Sequence, residues 1–331
     1  MQDFSRRKVL AAGAAAMVAA PALGGGSARA AGKIRFLMNW FAEAEHGGFF
    51  QAKALGLYDK AGLQVELMQG GPQLNATQLL LGSEADVVLG YDLQVLSSIE
   101  KGLPLKAVAA TFQTDLQGLM TRPDIKSLAQ AKGHRIYIGA NGYSTFWPWL
   151  KMRFGYTDEM AGPKGIGLQT FLADKTSAAA GYLTAEPYIA QQNKTPVNFL
   201  LFSKEGWPAY TNPLVTSEGF LARNSESMRP FLKASMEGWK SYIADPRPGN
   251  QLIKRMNPKM DEGQLAFSLA RMRETRCVES GDAATLGIRV ITEARWKKTR
   301  DVMVSTGLLK PGTDWRKGFT TEFIKDVKVM A

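Results

Sequence analysis

Residues 34–67 read IRFLMNWFAEAEHGGFFQAKALGLYDKAGLQVEL and carry the strongest structural signal of the chain. Apolar and polar residues alternate over 34–38, which predicts a strand that is buried on at least one face. A helix is predicted over 49–55, where Gly56 supplies the left-handed residue that commonly ends a helix. Alternation returns at 63–67 and predicts a second strand. The order strand, loop, helix, strand is typical of an α/β unit.

The loop after the first predicted strand is polar and acidic. It begins with Asn39 and Trp40 and continues through Glu43, Glu45 and His46. Ligands of α/β proteins bind beyond the carboxyl ends of the strands, and this is where the loop lies. An amide and an aromatic ring at that place are therefore candidates for contacting a small molecule.

Strand and helix signals alternate through the first two-thirds of the chain, whereas the last third is helical. The predicted strands are 85–89, 106–112, 118–121, 135–138, 197–202 and 214–216, and the predicted helices between them are 73–81, 93–100 and 145–154. Further helices are predicted from an N-cap at Ser225 and over 250–256, 261–273 and 285–306. The pattern favours parallel-rich sheets that are covered by helices.

The first thirty residues are typical of an export signal. Residues 5–10 read SRRKVL, a twin-arginine motif, and an Ala-rich apolar run follows over 9–23. Cleavage is expected between Ala30 and Ala31, at a small-x-small site. The alternative is an uncleaved membrane anchor, but the run is short for a span and Pro21 interrupts it. We therefore expect export to the periplasm by the twin-arginine route.

Composition limits the possible classes of protein. About 300 residues after the signal exceed what one hydrophobic core usually serves, which predicts two lobes. The single cysteine, Cys277, excludes an internal disulfide framework and a Cys-rich metal site. The net charge of +11 is spread along the chain and does not favour nucleic-acid binding. No nucleophile elbow, phosphate loop, zinc motif or dinucleotide motif is present, so no metal or cofactor is expected.

The opening segment resembles the periplasmic substrate-binding proteins of ABC importers, in the branch that binds thiamine-pyrimidine precursors and alkanesulfonates. The resemblance is carried by Asn39-Trp40, by HGGF at 46–49, by ALGLY at 54–58 and by AGL at 61–63. It implies a type II periplasmic binding protein fold, in which two α/β lobes are joined by a hinge of two crossings.

For this sequence, the resemblance implies that the chain crosses between the lobes near 115–121 and 211–220. Lobe 1 would comprise 31–116 plus 220–331, and lobe 2 would comprise 117–219. The implied partners are a small-molecule ligand in the cleft between the lobes and an ABC permease in the inner membrane. The protein is expected to be a monomer and not an enzyme.

The candidate ligand contacts are residues in loops at predicted strand ends, together with residues that the resemblance brings in. They are Asn39, Trp40, His46, Tyr91, Asp92, Gln113, Ser144, Thr145, Phe146, Glu186 and Tyr188. Trp40 and Tyr188 are the first candidates for stacking on a flat ring. Any of these residues could instead serve the core, a loop or the hinge.

Two of these candidates suggest specific chemistry. Glu186 opens an EPY segment similar to one in the family, where a Glu carboxylate can accept hydrogen bonds from a ring amine. Loop 139–145 precedes a predicted helix, and free backbone N–H groups at a helix start can bind an anion. Thr145 or Ser144 would cap that helix. The alternative for this loop is an ordinary helix cap without a ligand.

The expected ligand is a small aromatic or heterocyclic compound, neutral or anionic, such as a pyrimidine precursor, and the alternative within the class is an aliphatic sulfonate or related oxyanion. Loop 139–145 would hold the anionic group in either case. An enzyme is a third possibility, because the fungal thiamine-pyrimidine synthase resembles this chain in its fold and its Asn-Trp motif. That enzyme uses a lysine to hold pyridoxal phosphate, a histidine four residues later and a Cys-rich run. Gly90 and Gln94 stand at the two matching positions here, and Cys277 is the only cysteine.

Overall fold

The computed structural model describes residues 32–71, 74–165 and 167–330. The predicted export signal and its cleavage site therefore lie outside the described residues. The strands within the described part are β1 (Gly32–Leu37), β2 (Leu63–Met68), β3 (Val87–Leu89), β4 (Leu105–Phe112), β5 (Gln117–Thr121), β6 (Ile136–Ile138), β7 (Ala161–Pro163), β8 (Ala178–Tyr182), β9 (Asn198–Leu201) and β10 (Thr211–Ser217).

The described residues also form helices before, between and after the sheets. They are α1 (Gly47–Ala54), α2 (Leu57–Lys60), α3 (Ala76–Leu81), α4 (Asp92–Glu100), α5 (Phe146–Phe154), α6 (Gln169–Ala173), α7 (Glu186–Gln192), α8 (Glu218–Ala244), α9 (Arg247–Met256), α10 (Glu262–Thr275), α11 (Ala283–Leu286) and α12 (Glu293–Ser305). Gly56 follows α1 with a φ of 63°, as its predicted role at a helix end requires.

The strands form two mixed sheets of five strands each. The first sheet has the order β2-β1-β3-β10-β4, and the second has the order β7-β6-β8-β5-β9. In the first, β1 pairs in parallel with β2 and β3, while β10 runs antiparallel between β3 and β4. In the second, β6 pairs in parallel with β7 and β8, while β5 runs antiparallel between β8 and β9. The two sheets thus share one arrangement, and the predicted α/β class is confirmed.

The chain crosses between the sheets twice. It leaves the first sheet after β4, enters the second at β5, and returns from β9 to β10. The crossing segments are 113–116 and 202–210. Since Thr211–Ser217 is a strand of the first sheet, a division of the lobes by sheet would end the second lobe before residue 211, and not at 219 as the sequence suggested.

The core of the first sheet is aromatic. Phe36 of β1 packs edge-on against Phe49 of α1 and Phe231 of α8, with ring centroids 4.7 and 5.4 Å apart. Helix α8 lies directly on α1, where a Cβ on Gly48 would fall 2.2 Å from the ring of Trp239. Gly48 of the HGGF segment therefore allows α1 and α8 to pack closely.

Two helix boundaries differ from the predictions. Helix α8 begins at Glu218 with Ser217 as its N-cap, and Ser225 lies inside it, just after non-helical backbone at Asn224. The predicted helix over 285–306 is broken into α11 and α12, because Gly287 and Arg289 take positive φ values of 101° and 72°. A helical spacing of apolar residues continues across both interruptions, so the pattern alone did not reveal them.

Candidate functional site

The carboxyl ends of the parallel strands in both sheets carry polar side chains. Asn39 follows β1 and Tyr91 follows β3 in the first sheet, while Lys164 follows β7 and Thr184 follows β8 in the second. This edge of a parallel sheet is where α/β proteins bind ligands. Residues at this edge of the first sheet contact residues at the same edge of the second sheet.

Asn39 is the centre of the first-sheet side. Its amide Nδ2 donates to Oδ1 of Asn212 at 2.8 Å and lies 3.5 Å from the hydroxyl of Tyr91. Its Oδ1 lies 3.1 Å from Nε2 of His46. Asn212 is held for this contact with a φ of 51°, a conformation that non-glycine residues adopt uncommonly and often at functional sites. The structure thus brings together three predicted residues, Asn39, His46 and Tyr91.

His46 is a neutral hydrogen-bonding group. The side chain is buried, and burial lowers its pKa to about 3. A neutral imidazole has one donor nitrogen, and since its Nε2 faces the amide oxygen of Asn39, Nε2 carries the proton. In this arrangement His46 orients Asn39 and neither accepts protons near neutral pH nor acts as a cation.

Glu186 is the centre of the second-sheet side. Its Oε1 lies 2.6 Å from Nζ of Lys164, which also donates to the backbone oxygen of Ala180 at 2.7 Å. Its Oε2 accepts from the backbone N–H of Tyr182 at 2.6 Å. Gly181 makes room for this carboxylate, because a Cβ there would fall 2.4 Å from the Glu186 carboxyl carbon. Both oxygens of Glu186 are therefore occupied by the protein itself.

Two contacts join the sides. The hydroxyl of Thr184, beyond β8, donates to Oε1 of Glu45, in the short 3₁₀ turn before α1. The hydroxyls of Tyr91 and Tyr182 interact, and Tyr182 also accepts from Nε2 of Gln117 at 3.2 Å. Side chains from both sheets thus form one polar site between the sheets.

Acidic side chains are concentrated in this site. Burial, followed by the neighbouring carboxylates of Glu45 and Glu186, raises the pKa of Glu43 well above its usual value. Burial likewise raises the pKa of Glu45, against the opposing effect of the hydrogen bond from Thr184. A shared proton or a bound cationic group would relieve this repulsion.

Asp92 and Gln113 serve the protein framework. Asp92 is fully buried and accepts from the backbone N–H of Tyr210 at 2.9 Å and from the hydroxyl of Thr299 at 3.0 Å. Gln113 is buried and donates from Nε2 to the backbone oxygen of Val290 at 2.8 Å. Their side chains hold C-terminal segments and the second crossing against the first sheet, and the structure does not bring them to Asn39.

Loop 139–145 folds differently from the prediction. Ala140–Ser144 is a 3₁₀ turn, and the hydroxyl of Thr145 donates back to the carbonyl oxygen of Asn141 at 2.9 Å. The predicted side-chain cap of α5 is wrong, because neither Thr145 nor Ser144 accepts from the helix; Ser144 also donates to Asn141. Phe146 is buried against Phe202, with ring centroids 4.9 Å apart, which identifies it as a core residue.

The two predicted stacking residues lie in different surroundings. Trp40 is 40 % exposed, and its ring packs edge-on against Phe41 at 5.6 Å. Tyr188 of α7 donates its hydroxyl to Asp261, the N-cap of α10, at 2.9 Å, and its ring contacts Phe267. Tyr188 thus connects two helices, whereas Trp40 keeps a large exposed aromatic surface at the end of β1.

Several residues of the site were not among the predicted contacts. Glu43 and Glu45 were visible only as an acidic loop, and no motif distinguished them. Asn212, Lys164, Tyr182 and Thr184 reach the site through strand pairing over long sequence distances, so local pattern carried no signal for them. Among the described residues, no cluster of three or more His, Cys, Asp and Glu side chains could hold a metal ion.

The chemistry of pyridoxal phosphate does not fit the residues at the positions implied by the synthase resemblance. Gly90 has no side chain to form a Schiff base, and its Cα faces Val215, where a Cβ would fall 3.1 Å from a methyl group. Gln94 is exposed on α4 and cannot supply an imidazole. Cys277 is buried, and burial raises its pKa to about 12, which makes it an inert thiol. Among the described helices, none is long and apolar enough to cross a bilayer.

Two relatives among characterised proteins are similar over part of the chain. A Haemophilus influenzae protein named for thiamine biosynthesis is 24 % identical over 113 residues, which cover 34 % of this chain and 36 % of that protein. The 4-amino-5-hydroxymethyl-2-methylpyrimidine phosphate synthase of Schizosaccharomyces pombe is 28 % identical over 113 residues, or 33 % of each chain. The chain spans about a third of the length of these relatives in the matched regions.

Solved structures match nearly the whole fold. The periplasmic aliphatic sulphonate binding protein SsuA from Escherichia coli has a TM-score of 0.63 at 14 % identity, and the match covers 86 % of this chain and 96 % of that chain. The desulfurization enzyme DSZB has a TM-score of 0.60 at 12 % identity, over 89 % and 98 % of the two chains. At such identities the likeness establishes the fold, which binding proteins and an enzyme share.

The fold is therefore that of a type II periplasmic binding protein, in which two α/β lobes are joined by two crossings. The family described as NMT1/THI5 like matches residues 43–248, which include Glu43, Glu45 and His46 of the acidic loop, both crossings and Glu186. This chain belongs to the NMT1/THI5-like family.

Proposed function

We propose that this chain is the periplasmic solute-binding component of an ABC importer. It would capture a small molecule between the two lobes and deliver it to a permease in the inner membrane. The observation that carries the proposal is the meeting of polar groups from the carboxyl edges of both sheets, where Thr184 donates to Glu45 and Tyr91 contacts Tyr182. A ligand held by groups of both lobes stabilises their closure, as in hinged binding proteins.

The proposed ligand is a small, flat heterocycle with hydrogen-bond donors, of the pyrimidine-precursor kind. Asn39 and the two tyrosines Tyr91 and Tyr182 offer polar contacts beside aromatic faces. Trp40 exposes 40 % of its surface at the end of β1 and is the proposed stacking residue. The relatives that are named for thiamine or pyrimidine synthesis agree with this choice.

An aliphatic sulfonate is the second candidate, because the SsuA proteins share the fold. The proposed anion site would then be loop 139–145. The carboxylates of Glu43, Glu45 and Glu186 oppose this candidate, since they would repel a negative group placed between the lobes. We therefore rank the sulfonate below the heterocycle.

We also propose that the protein is not an enzyme. The synthases in the family are named for a reaction that the resemblance links to pyridoxal phosphate, and Gly90 and Gln94 do not provide its reactive groups. Incubation with pyridoxal phosphate and iron tests this point, and formation of the pyrimidine product would overturn it.

Two further parts of the proposal concern location and assembly. Export by the twin-arginine route predicts a mature N-terminus at or near Ala31, and replacement of Arg6 and Arg7 by lysine should abolish export. N-terminal sequencing of the periplasmic protein and fractionation of the double variant measure these outcomes. The working unit is proposed to be a monomer, with one lobe formed mainly by 31–116 and 220–331 and the other mainly by 117–219.

A thermal-shift screen tests the function itself. Pyrimidines, purines, aromatic acids and sulfonates would be added to the purified protein, because a ligand that binds only the folded state raises the melting temperature. A rise with at least one class is expected, and no rise with any class would contradict a solute-binding role. Trp40→Ala should weaken the best ligand, whereas Met152→Ala, which removes an exposed side chain of α5, should not. Unchanged affinity in Trp40→Ala would exclude stacking.

A further inference from the structure

Glu45 has one carboxylate oxygen without a hydrogen-bond partner among the residues that the structure describes. The side chain is buried, with only 4 % of its surface exposed, in the turn before α1. Its Oε1 accepts from Thr184, but its buried Oε2 has no hydrogen-bond partner within the described residues. A buried carboxylate oxygen without a hydrogen-bond donor costs free energy, so a bound molecule that supplies a donor would remove this cost.

The titratable groups around Glu45 are predominantly acidic. Glu43 and Glu186 both interact with it electrostatically, and Lys164 is engaged by Glu186 at 2.6 Å and by the carbonyl oxygen of Ala180. The other titratable side chains that sense this region are His46, Tyr91, Tyr182, Tyr242, Asp115, Arg273 and Cys277. His46 is neutral and contributes no positive charge at neutral pH. The acidic groups thus exceed the cations that face them.

We propose that the carboxylates of Glu43 and Glu45 bind a planar, positively charged nitrogen group of the solute, either an amidinium or a protonated amino-heterocycle. The proposal rests on the solute-binding function and specifies the chemistry of its ligand. A planar N–C–N group presents two parallel N–H donors, which match carboxylate oxygens in a charge-assisted pair. Oε2 of Glu45 would accept one of these N–H groups and the carboxylate of Glu43 the other, while Oε1 of Glu45 stays with Thr184 of the opposite lobe.

This arrangement couples recognition to closure. Glu45 belongs to the first-sheet side, and the group it accepts from, Thr184, belongs to the second. The backbone oxygen of Thr184 also accepts from the hydroxyl of Ser268 of α10 at 2.7 Å, and this bond helps to hold Thr184 in place. A cation bound at Oε2 neutralises Glu45 without removing the contact to Thr184. The closed arrangement would therefore be favoured by a cationic solute and disfavoured by an anionic one.

Three probes of nearly equal shape test the charge requirement. Benzamidine is a flat cation, benzamide is its neutral analogue and benzoate is its anionic analogue. Titration calorimetry at neutral pH should give benzamidine an affinity at least about ten-fold higher than benzamide, with benzoate weakest. Equal or stronger binding of benzamide or benzoate would overturn the proposal, as would the absence of benzamidine binding. A solute found by the thermal-shift screen would in that event leave the solute-binding function intact.

Variants locate the effect on the acidic loop. Glu45→Gln and Glu43→Gln remove charge but keep side-chain size, and each should lower benzamidine affinity about ten-fold while benzamide changes less. Glu66→Gln is the matched control, because Glu66 lies in the middle of β2 and pairs with Lys33 at an exposed surface. An unchanged preference for benzamidine in both acidic-loop variants would contradict the proposal.

A measurement on the wild-type protein tests whether the acidic loop binds the cation, even if a variant fails to fold. A cation bound to carboxylates with raised pKa values drives them to release protons, so benzamidine binding should release protons in the pH range where these groups titrate, and benzamide binding should not. Calorimetry at several pH values from about 5 to 7, each in two buffers of different ionisation enthalpy, measures the number released. Proton uptake, or equal release with both probes, would refute the assignment to the acidic loop.

Discussion

Arg289 is a charged residue in a place that offers it no charged partner. Its side chain is fully buried, and its guanidinium lies 4.6 Å from the ring centroid of Phe49. None of its three nitrogens has a hydrogen-bond partner within the described residues, and burial lowers its pKa to about 9. At neutral pH the group is still charged, so it pays a desolvation cost that the cation–π contact offsets only in part.

Replacement of Arg289 by methionine should therefore stabilise the protein. The change keeps an unbranched side chain and removes a buried charge, and we expect the free energy of unfolding to rise by about 1–4 kcal/mol. Urea denaturation measures this difference. Arg316→Met is the control, because Arg316 pairs with Glu293 at an exposed surface and should change stability by less than about 0.5 kcal/mol. A clear loss of stability in Arg289→Met would show that the buried charge has a role in the fold.

Asp92 makes stability depend on pH. Burial raises its pKa to about 6 in the folded protein, above the ordinary value of an aspartate. The folded state then binds the proton more tightly than the unfolded state, so this contribution is complete below the unfolded pKa and is lost as the pH rises through about 6. The stability difference between the wild type and Asp92→Asn should therefore shift by roughly 2–3 kcal/mol in favour of Asp92 between pH 7.5 and pH 4. Urea titrations at both pH values check the sign, and a shift in the opposite direction would contradict the burial argument.

At the scale of elements, prediction from the sequence was most accurate for segments whose structure is determined by residues close to each other in the chain. Strand β1, the helix after it and its end at Gly56 follow from alternation and from one left-handed glycine. Strand β8 was missed, because Ala178–Tyr182 is composed of small residues that have little tendency to form strands. Its composition is explained by tertiary packing, since the carboxylate of Glu186 lies where a side chain on Gly181 would be.

Asp115 in the first crossing holds the second crossing and the strand that follows it. Its Oδ1 accepts from the hydroxyl of Thr211, the first residue of β10, at 2.6 Å, and its backbone oxygen accepts from the hydroxyl of Ser203 at 2.8 Å. Burial raises the pKa of Asp115 against the opposing effect of the bond from Thr211. Neither Asp115 nor Thr211 belongs to a recognisable motif, and 96 positions separate them, so no sequence pattern pointed to this contact.

Thr211→Val should destabilise the protein through this contact. The substitution preserves shape and leaves a buried carboxylate with one donor fewer, which should cost about 1–3 kcal/mol. Thermal unfolding measures the loss. Thr285→Val is the control, because the hydroxyl of Thr285 is exposed on α11 and donates over 3.4 Å. An equal loss of stability in both variants would mean that the bond between Thr211 and Asp115 stabilises the protein no more than an exposed hydrogen bond does.

At the scale of the whole molecule, the class of fold was predictable from the sequence, whereas only part of the site was. Asn39, His46 and Tyr91 were predicted because each follows or borders a strand end, and the structure joins them. The opposing lobe could not be placed in the same way, because the contact between Glu45 and Thr184 spans 139 positions. Such contacts depend on how two sheets close on each other, and no periodicity of the sequence encodes that geometry.

Closure of the lobes should respond to the contact between α7 and α10. Tyr188 of α7 donates to Asp261 at an exposed position, and an exposed hydrogen bond of this kind contributes about 0.5–1.5 kcal/mol. Tyr188→Phe removes only the hydroxyl, so the ratio of closed to open molecules should fall by up to about ten-fold without a measurable loss of thermal stability. Small-angle X-ray scattering of the protein without solute should then give a larger radius of gyration for Tyr188→Phe. Tyr143→Phe, on the exposed loop before α5, should scatter like the wild type. Identical scattering by all three proteins would show that other contacts between the lobes, such as the one from Thr184 to Glu45, are sufficient to keep them closed.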